Sequence, residues 1–153
     1  MSTLYFEDFT TGQVFESTGR TVTEADLTMF SMLSGDWNPI HADAEFAKQT
    51  RYGQRVVHGA LGIAMATGML HQLGVFERSA VAMMSLREWR FVAPILIGQT
   101  LRLRMEITAI EAGSSPRTGR IDRRLQLLDQ TGTVIQEGFT DVLVLKRAAA
   151  QAT

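Results

Sequence analysis

The sequence predicts one α+β domain in which a long antiparallel sheet wraps a single buried helix. Three observations carry that expectation. Residues 59–73 are almost all small or apolar, and a helix that is apolar on nearly every face belongs in a core. After it the period changes: Leu101, Leu103, Met105 and Ile107 alternate with Arg102, Arg104, Glu106 and Thr108, the pattern of a half-buried strand. Finally, 153 residues of which 45% are apolar can bury one substantial core without disulfides or metals.

The elements follow in order. Residues 13–17 read as a short strand. Thr23 precedes Glu24-Ala25-Asp26 and apolar Leu27, Phe30, Met32 and Leu33. This is a capped helix with acidic residues where its dipole favours them, stopping at Ser34-Gly35. Pro39 disfavours helical geometry at Asn38, so residues 36–41 are expected as an extended or turned loop. Asp43 caps a second short helix, and a polar loop then leads to His58 and the buried helix. Residues 82–92, 101–108, 121–127 and 134–145 read as long strands, with turns at 113–116 and 129–132. In the third of these Ile121, Arg123, Leu125 and Leu127 alternate less cleanly with their neighbours. Residues 1–146 form the domain; 147–153, rich in alanine, read as a frayed tail. Only the apolar helix is suited to cover such a sheet, the arrangement called a hot-dog. One helix leaves an edge strand and apolar surface over, which a homodimer that continues the sheet would cover.

Fifteen basic and sixteen acidic side chains give a net charge of −1. No basic block marks a nucleic-acid or membrane surface. There is no cysteine, which excludes disulfides and thiolate chemistry. Residues 1–9 carry Glu7 and Asp8 and no apolar run, so they do not read as a signal peptide. The apolar stretch is too short to span a bilayer. A cytoplasmic protein is expected.

The chemistry concentrates in Ser34-Gly35-Asp36-Trp37-Asn38-Pro39-Ile40-His41, followed seventeen residues later by His58-Gly59. A carboxylate and an imidazole five residues apart, across a proline-stiffened turn, can hold one small molecule between them. Water is the natural choice. Adding water to a double bond conjugated to a carbonyl needs a base for the water, a proton for the α-carbon and a donor for the developing enolate oxygen. Asp36 and His41 supply the first two. Free N–H groups at Gly59 or Ala60, at a helix start, supply the third, and Asn38 can steady the loop. Singly, each residue has a plainer explanation: an Asp as an Asx-turn, a His as a helix cap, Trp37 and Trp89 as packing residues, Gly62 and Gly68 as close packing. His71 is given no role. Histidines 41, 58 and 71 do not show metal-ligand spacing, so no metal is expected.

Taken together, the 34–41 segment with Asp43, Phe46-Ala47 and His58-Gly59 resembles the hydratase motif of the MaoC-like dehydratase family, which includes (R)-specific enoyl-CoA hydratases. The likeness extends to residues 19–23 and to residues 89–98. The resemblance implies a hot-dog homodimer. It also implies reversible syn hydration of a trans-2-enoyl thioester of coenzyme A, or of acyl carrier protein, to a (3R)-3-hydroxyacyl thioester. On that pattern Asp36 and His41 are catalytic, the Gly59 amide is the oxyanion donor, and Asn38 and His58 support them. Ala60 and Thr67 fall by the acyl pocket. No cofactor is implied, coenzyme A being part of the substrate. The resemblance leaves open which of the pair first accepts the water proton.

Two other functions fit a hot-dog chain. A thioesterase would need a carboxylate on or near the central helix, and residues 59–73 contain no Asp or Glu. A non-catalytic acyl-binding subunit would lack the Asp or the His, and both are present. Arg51, Arg55, Arg87 and Arg117 are the candidates for substrate phosphates.

Overall fold

The computed structural model describes residues 2–150. A 3-10 turn (Phe6–Asp8) leads into β1 (Val14–Glu16), β2 (Arg20–Thr21) and α1 (Glu24–Ser34); α2 (Pro39–Ala42), α3 (Ala44–Lys48) and β3 (Val56–Val57) follow. Then come α4 (Gly59–Gln72), β4 (Ala80–Phe91), β5 (Ile95–Leu96), β6 (Thr100–Glu111), β7 (Thr118–Leu128), β8 (Val134–Leu145) and the turn α5 (Arg147–Ala150). The main sheet is ordered β1-β6-β7-β8-β4, with β2 also on β6, while β3 and β5 form a separate pair. Its ladders are antiparallel throughout.

The sheet wraps α4, as the change of period predicts. Leu61, Met65, Ala66, Met69 and Leu70 of α4 share one core with Leu101, Leu103, Met105 and Ile107 of β6 and with Ile121, Leu125 and Leu127 of β7. Each fully buried aliphatic side chain contributes about 1.5–3 kcal/mol, so this layer outweighs any local preference. This is the hot-dog arrangement. Among the described residues no helix is long and apolar enough to cross a membrane.

Local chemistry accounts for the boundaries. Thr23 Oγ1 accepts from the Asp26 N–H, and the Asp26 carboxylate accepts from the Thr23 N–H, a reciprocal cap on α1. Asp43 Oδ1 accepts from the amides of Glu45 and Phe46 and caps α3. The 36–41 segment departs from the expected loop at its second half. Pro39 opens a helical turn, with Asn38 Oδ1 accepting from the Ile40 N–H. Proline is disfavoured inside helices but suits the first position, where its missing N–H would have no partner. Residues 147–150 of the expected tail make a turn held by Arg147, which pairs with Asp8; residues 151–153 lie outside the described residues.

Candidate active site

The short helices α1 and α2 deliver Asp36 and His41 to the start of α4. Asp36 Oδ1 accepts from the Asn38 N–H at 3.1 Å, an Asx-turn that fixes the carboxylate and turns Oδ2 toward two imidazoles. Oδ2 lies 3.8 Å from His41 Nε2 and 3.8 Å from His58 Nε2. That is beyond direct hydrogen bonding, and a water seated off the line between such a pair can bond to both atoms. Half of the Asp36 side chain is exposed, while the His41 side chain is 14% and the His58 side chain 3% exposed.

The tautomers follow from the acceptors. His41 Nδ1 stands 2.6 Å from the Val56 carbonyl oxygen. A carbonyl only accepts, so Nδ1 carries the proton and, in the neutral ring, Nε2 offers a lone pair toward Asp36. His58 Nε2 stands 3.0 Å from the Asp36 carbonyl oxygen and therefore donates to it. The His58 ring stacks on His41 at 3.8 Å between centroids and meets Phe30 on its other side at 5.1 Å. His58 is thus a buried wedge that orients both catalytic candidates. Its Nδ1 has no partner among the described residues.

Sequence spacing shows no ligand cluster, yet the fold brings His41, His58 and Asp36 together, with one potential ligand atom from each within 4.8 Å of the others. The His58 atom facing Asp36 is committed as a donor, so in this tautomer it cannot ligate a cation. His71 stands apart, exposed in the last turn of α4.

Gly59 is the first residue of α4, and its amide has no acceptor among the described residues. Its carbonyl accepts from Gln136 Nε2 at 3.1 Å, and Gln136 Oε1 accepts from Trp89 Nε1 at 3.1 Å. Glycine is required here by close approach: a Cβ at Gly59 would lie 2.7 Å from the Phe91 ring, and one at Gly62 would lie 2.4 Å from Gln136. Nothing crowds Gly68; its space has no packing reason. Trp89 is more than packing, because it locks the glutamine that locks the helix start. Trp37, expected inside, is 52% exposed. Gln136, 1% exposed, Val56 and Phe91 were not among the sequence candidates. No motif marks them, and they matter only by where three separate strands meet.

A cavity of about 480 Å³ opens at this point, lined by His41, Arg51, Tyr52, Gly59, Ala60 and Phe91 among others. Asp36 does not line it and meets it through His41. Ala60 lies in its wall. Thr67 does not: its hydroxyl donates to the Ala64 carbonyl, and it lines a different cavity farther along α4. Of the arginines singled out, Arg51 lines the site, where it donates to Tyr52 Oη at 2.6 Å. Arg55 pairs with Glu24 and Arg87 with Asp122.

Comparisons with known proteins place this fold and sequence in one family. The family model described as MaoC like domain matches residues 8–126. The protein MaoC of Klebsiella aerogenes is 37% identical over 101 residues, 66% of this chain but 30% of that longer protein. The (R)-specific enoyl-CoA hydratase of Rhodospirillum rubrum is 29% identical over 143 residues, 94% of this chain and 93% of that one. The crystal structure of a MaoC-like dehydratase from Rhodospirillum rubrum superposes with a TM-score of 0.83 at 25% identity, covering 94% of this chain and 98% of that one. With a family match across most of its length and a hot-dog fold that carries the Asp36, His41 and Gly59 constellation, the chain belongs to the MaoC-like family.

Proposed function

We propose that this protein is a hydro-lyase that reversibly adds water to a trans-2-enoyl thioester, giving the (3R)-3-hydroxyacyl thioester. The observation that carries the reading is the 3.8 Å gap between Asp36 Oδ2 and His41 Nε2. One water seated off the line between these two proton acceptors can bond to both, beside an unused helix-start amide. The names of the relatives, an enoyl-CoA hydratase among them, support it.

The thioester oxygen sits on the Gly59 N–H, which withdraws charge from the double bond and stabilises the enolate as it forms. The water between Asp36 and His41 bonds through its oxygen to C3 and gives up one proton to the pair. A proton returns from the pair to C2. Both transfers come from one side, so the addition is syn, and the atoms of one water are accounted for. The His41 Nδ1–H bond to Val56 keeps the imidazole in the tautomer whose Nε2 can take part. Coenzyme A or acyl carrier protein carries the acyl group, Arg51 at the cavity being the first candidate for its phosphates. No further cofactor has a step to perform.

The functional protein in this proposal is a homodimer. β4 is the last strand of the sheet, with one side of its backbone unpaired by any described strand, and exposes Val81, Met83, Met84 and Leu86. A second copy pairing there extends the sheet and covers those side chains. Thioester hydrolysis is the weaker reading, since α4 holds no carboxylate.

Incubation with crotonyl-CoA, following both enoyl absorbance and free thiol, tests the reaction. Loss of absorbance without thiol, with the (3R) alcohol as product, is expected. Thiol release without hydration would overturn it.

A further inference from the structure

The second cavity holds a group that the hydration mechanism does not use. It measures about 450 Å³ and is lined by the α4 residues Thr67, Leu70 and His71, by Phe76 and Glu77, by the first residues of β4, and by Arg123. Arg123 sits on the core-facing side of β7, where Ile121, Leu125 and Leu127 are its apolar companions. It is 3% exposed. The Nε donates to Thr140 Oγ1 at 3.1 Å, and the guanidinium carbon lies 5.1 Å from the centre of the Phe76 ring. Among the described residues the guanidinium makes no ion pair and no other hydrogen bond. The nearby Asp141 carboxylate accepts from Ser85 Oγ and acts on Arg123 through its charge, without an ion-pair contact. Burial lowers the Arg123 pKa to about 10, with Asp141 opposing the shift; the group therefore stays cationic at neutral pH.

A cation at a core position is costly unless something pairs with it. Arginine presents a planar fork of donors that matches a carboxylate. Here the fork is held by Thr140 and Phe76 at a cavity with otherwise largely apolar walls, and Glu77 and His71 are exposed at 77 and 71. The two cavities are separate but lie along one face of α4. Ala60 lines the catalytic cavity and Thr67 the second one, and seven residues of helix span about 10 Å. Ala64, between them, is exposed. β4 runs the same course in reverse, from Val81 and Met83 at the second cavity to Phe91 at the first.

We infer that Arg123 is a specificity residue for the far end of the acyl group, and that the preferred substrates are medium-chain enoyl thioesters ending in a carboxylate. The thioester lies at Gly59, the chain follows the exposed face of α4, and the terminal carboxylate meets the Arg123 fork. This rests on the hydratase reading above and adds the substrate class to it.

The test compares trans-2-octenedioyl-CoA, linked through one carboxyl, with trans-2-octenoyl-CoA, which differs in ending in a methyl group. Wild type should favour the former in kcat/KM by about tenfold or more, the effect of one charge-assisted hydrogen-bonded pair. Arg123→Met should remove the preference, and Arg123→Lys should retain part of it. Since Met replaces a buried, unpaired cation with an apolar chain, it should fold with an unchanged or raised Tm. A wild type that favours the methyl-ended chain, or treats both alike while hydrating crotonyl-CoA, would overturn the inference and leave the reaction standing. So would a preference that survives in folded Arg123→Met. If wild type hydrates no enoyl thioester, the reaction reading fails. Calorimetric titration with octanoate then decides the cavity: binding by wild type that Arg123→Met loses supports a carboxylate site, and absence of binding by wild type refutes it.

Discussion

Asp36 is positioned from within its own motif, while His41 and Gly59 are positioned by groups that no sequence motif marks. Asp36 is aimed by the Asn38 amide, His41 by the Val56 carbonyl, and Gly59 by the side chain of Gln136. Replacing Gln136 with Leu removes the side-chain donor to the Gly59 carbonyl and leaves the Trp89 indole N–H without its acceptor. A loss of about 1–3 kcal/mol is expected, read as a shifted urea midpoint, together with reduced hydration. Gly59→Ala brings a methyl within 2.7 Å of the Phe91 ring. Either the helix start or the exposed Phe91 ring must shift, and hydration should fall roughly tenfold to a hundredfold, checked by steady-state rates with the fold verified by circular dichroism. The candidate catalytic residues stand out in the sequence because their types and spacing are unusual. The supports of His41 and Gly59 do not, because Gln136, Trp89 and Val56 are ordinary residues on strands whose register the sequence does not print. The two histidines show the same limit: 41 and 58 look unrelated on the chain and stack in the fold.

The elements themselves were largely readable. Caps at Thr23 and Asp43 and the period change after α4 mark boundaries with local chemistry, and local chemistry is written in the sequence. At α2 the restraint that Pro39 places on Asn38 and its suitability for a first helical position act together, so a loop residue is followed at once by a helical turn. The turn between β7 and β8 gives an element its own test. Asp129 Oδ1 accepts from Thr131 Oγ1 at 2.7 Å and from the amides of Thr131 and Thr133. The Thr131 hydroxyl is the largest cause that holds its pKa below the ordinary carboxylate value, with the backbone donors adding to it. A carboxyl depressed in the folded state adds stability above its unfolded pKa and loses it as pH falls through the folded value. Asp129→Ala should therefore cost about 1 kcal/mol at neutral pH. The difference from wild type should shrink below about pH 4, measured by denaturant unfolding across pH.

At the scale of the whole molecule, the arrangement leaves an open sheet edge. β4 ends the order β1-β6-β7-β8-β4 with Met84 56% and Leu86 42% exposed. A water-facing edge strand is normally short or charged; this one is twelve residues long. In the proposed homodimer, Leu86→Lys should shift the protein from dimer to monomer in sedimentation velocity, while a mutation on the opposite sheet edge at Val14 should not; a wild type that sediments as a monomer would contradict the pairing. That a sheet wraps a helix was legible from periodicity alone. Which strand ends the sheet was not, since strand order depends on pairings between residues far apart in sequence, such as Phe91 with Gln136.

In the proposed reaction Asp36 and His41 together hold and deprotonate the water that adds to the double bond. The most direct test is the rate of trans-2-enoyl-CoA hydration by Asp36→Asn and His41→Ala beside wild type, each checked for an intact fold and assembly. Asn keeps the shape of the aspartate and removes its charge. Each variant should lose about 10²–10⁴-fold in kcat, the contribution of a general acid–base group. Near-wild-type hydration by either folded variant would contradict the account.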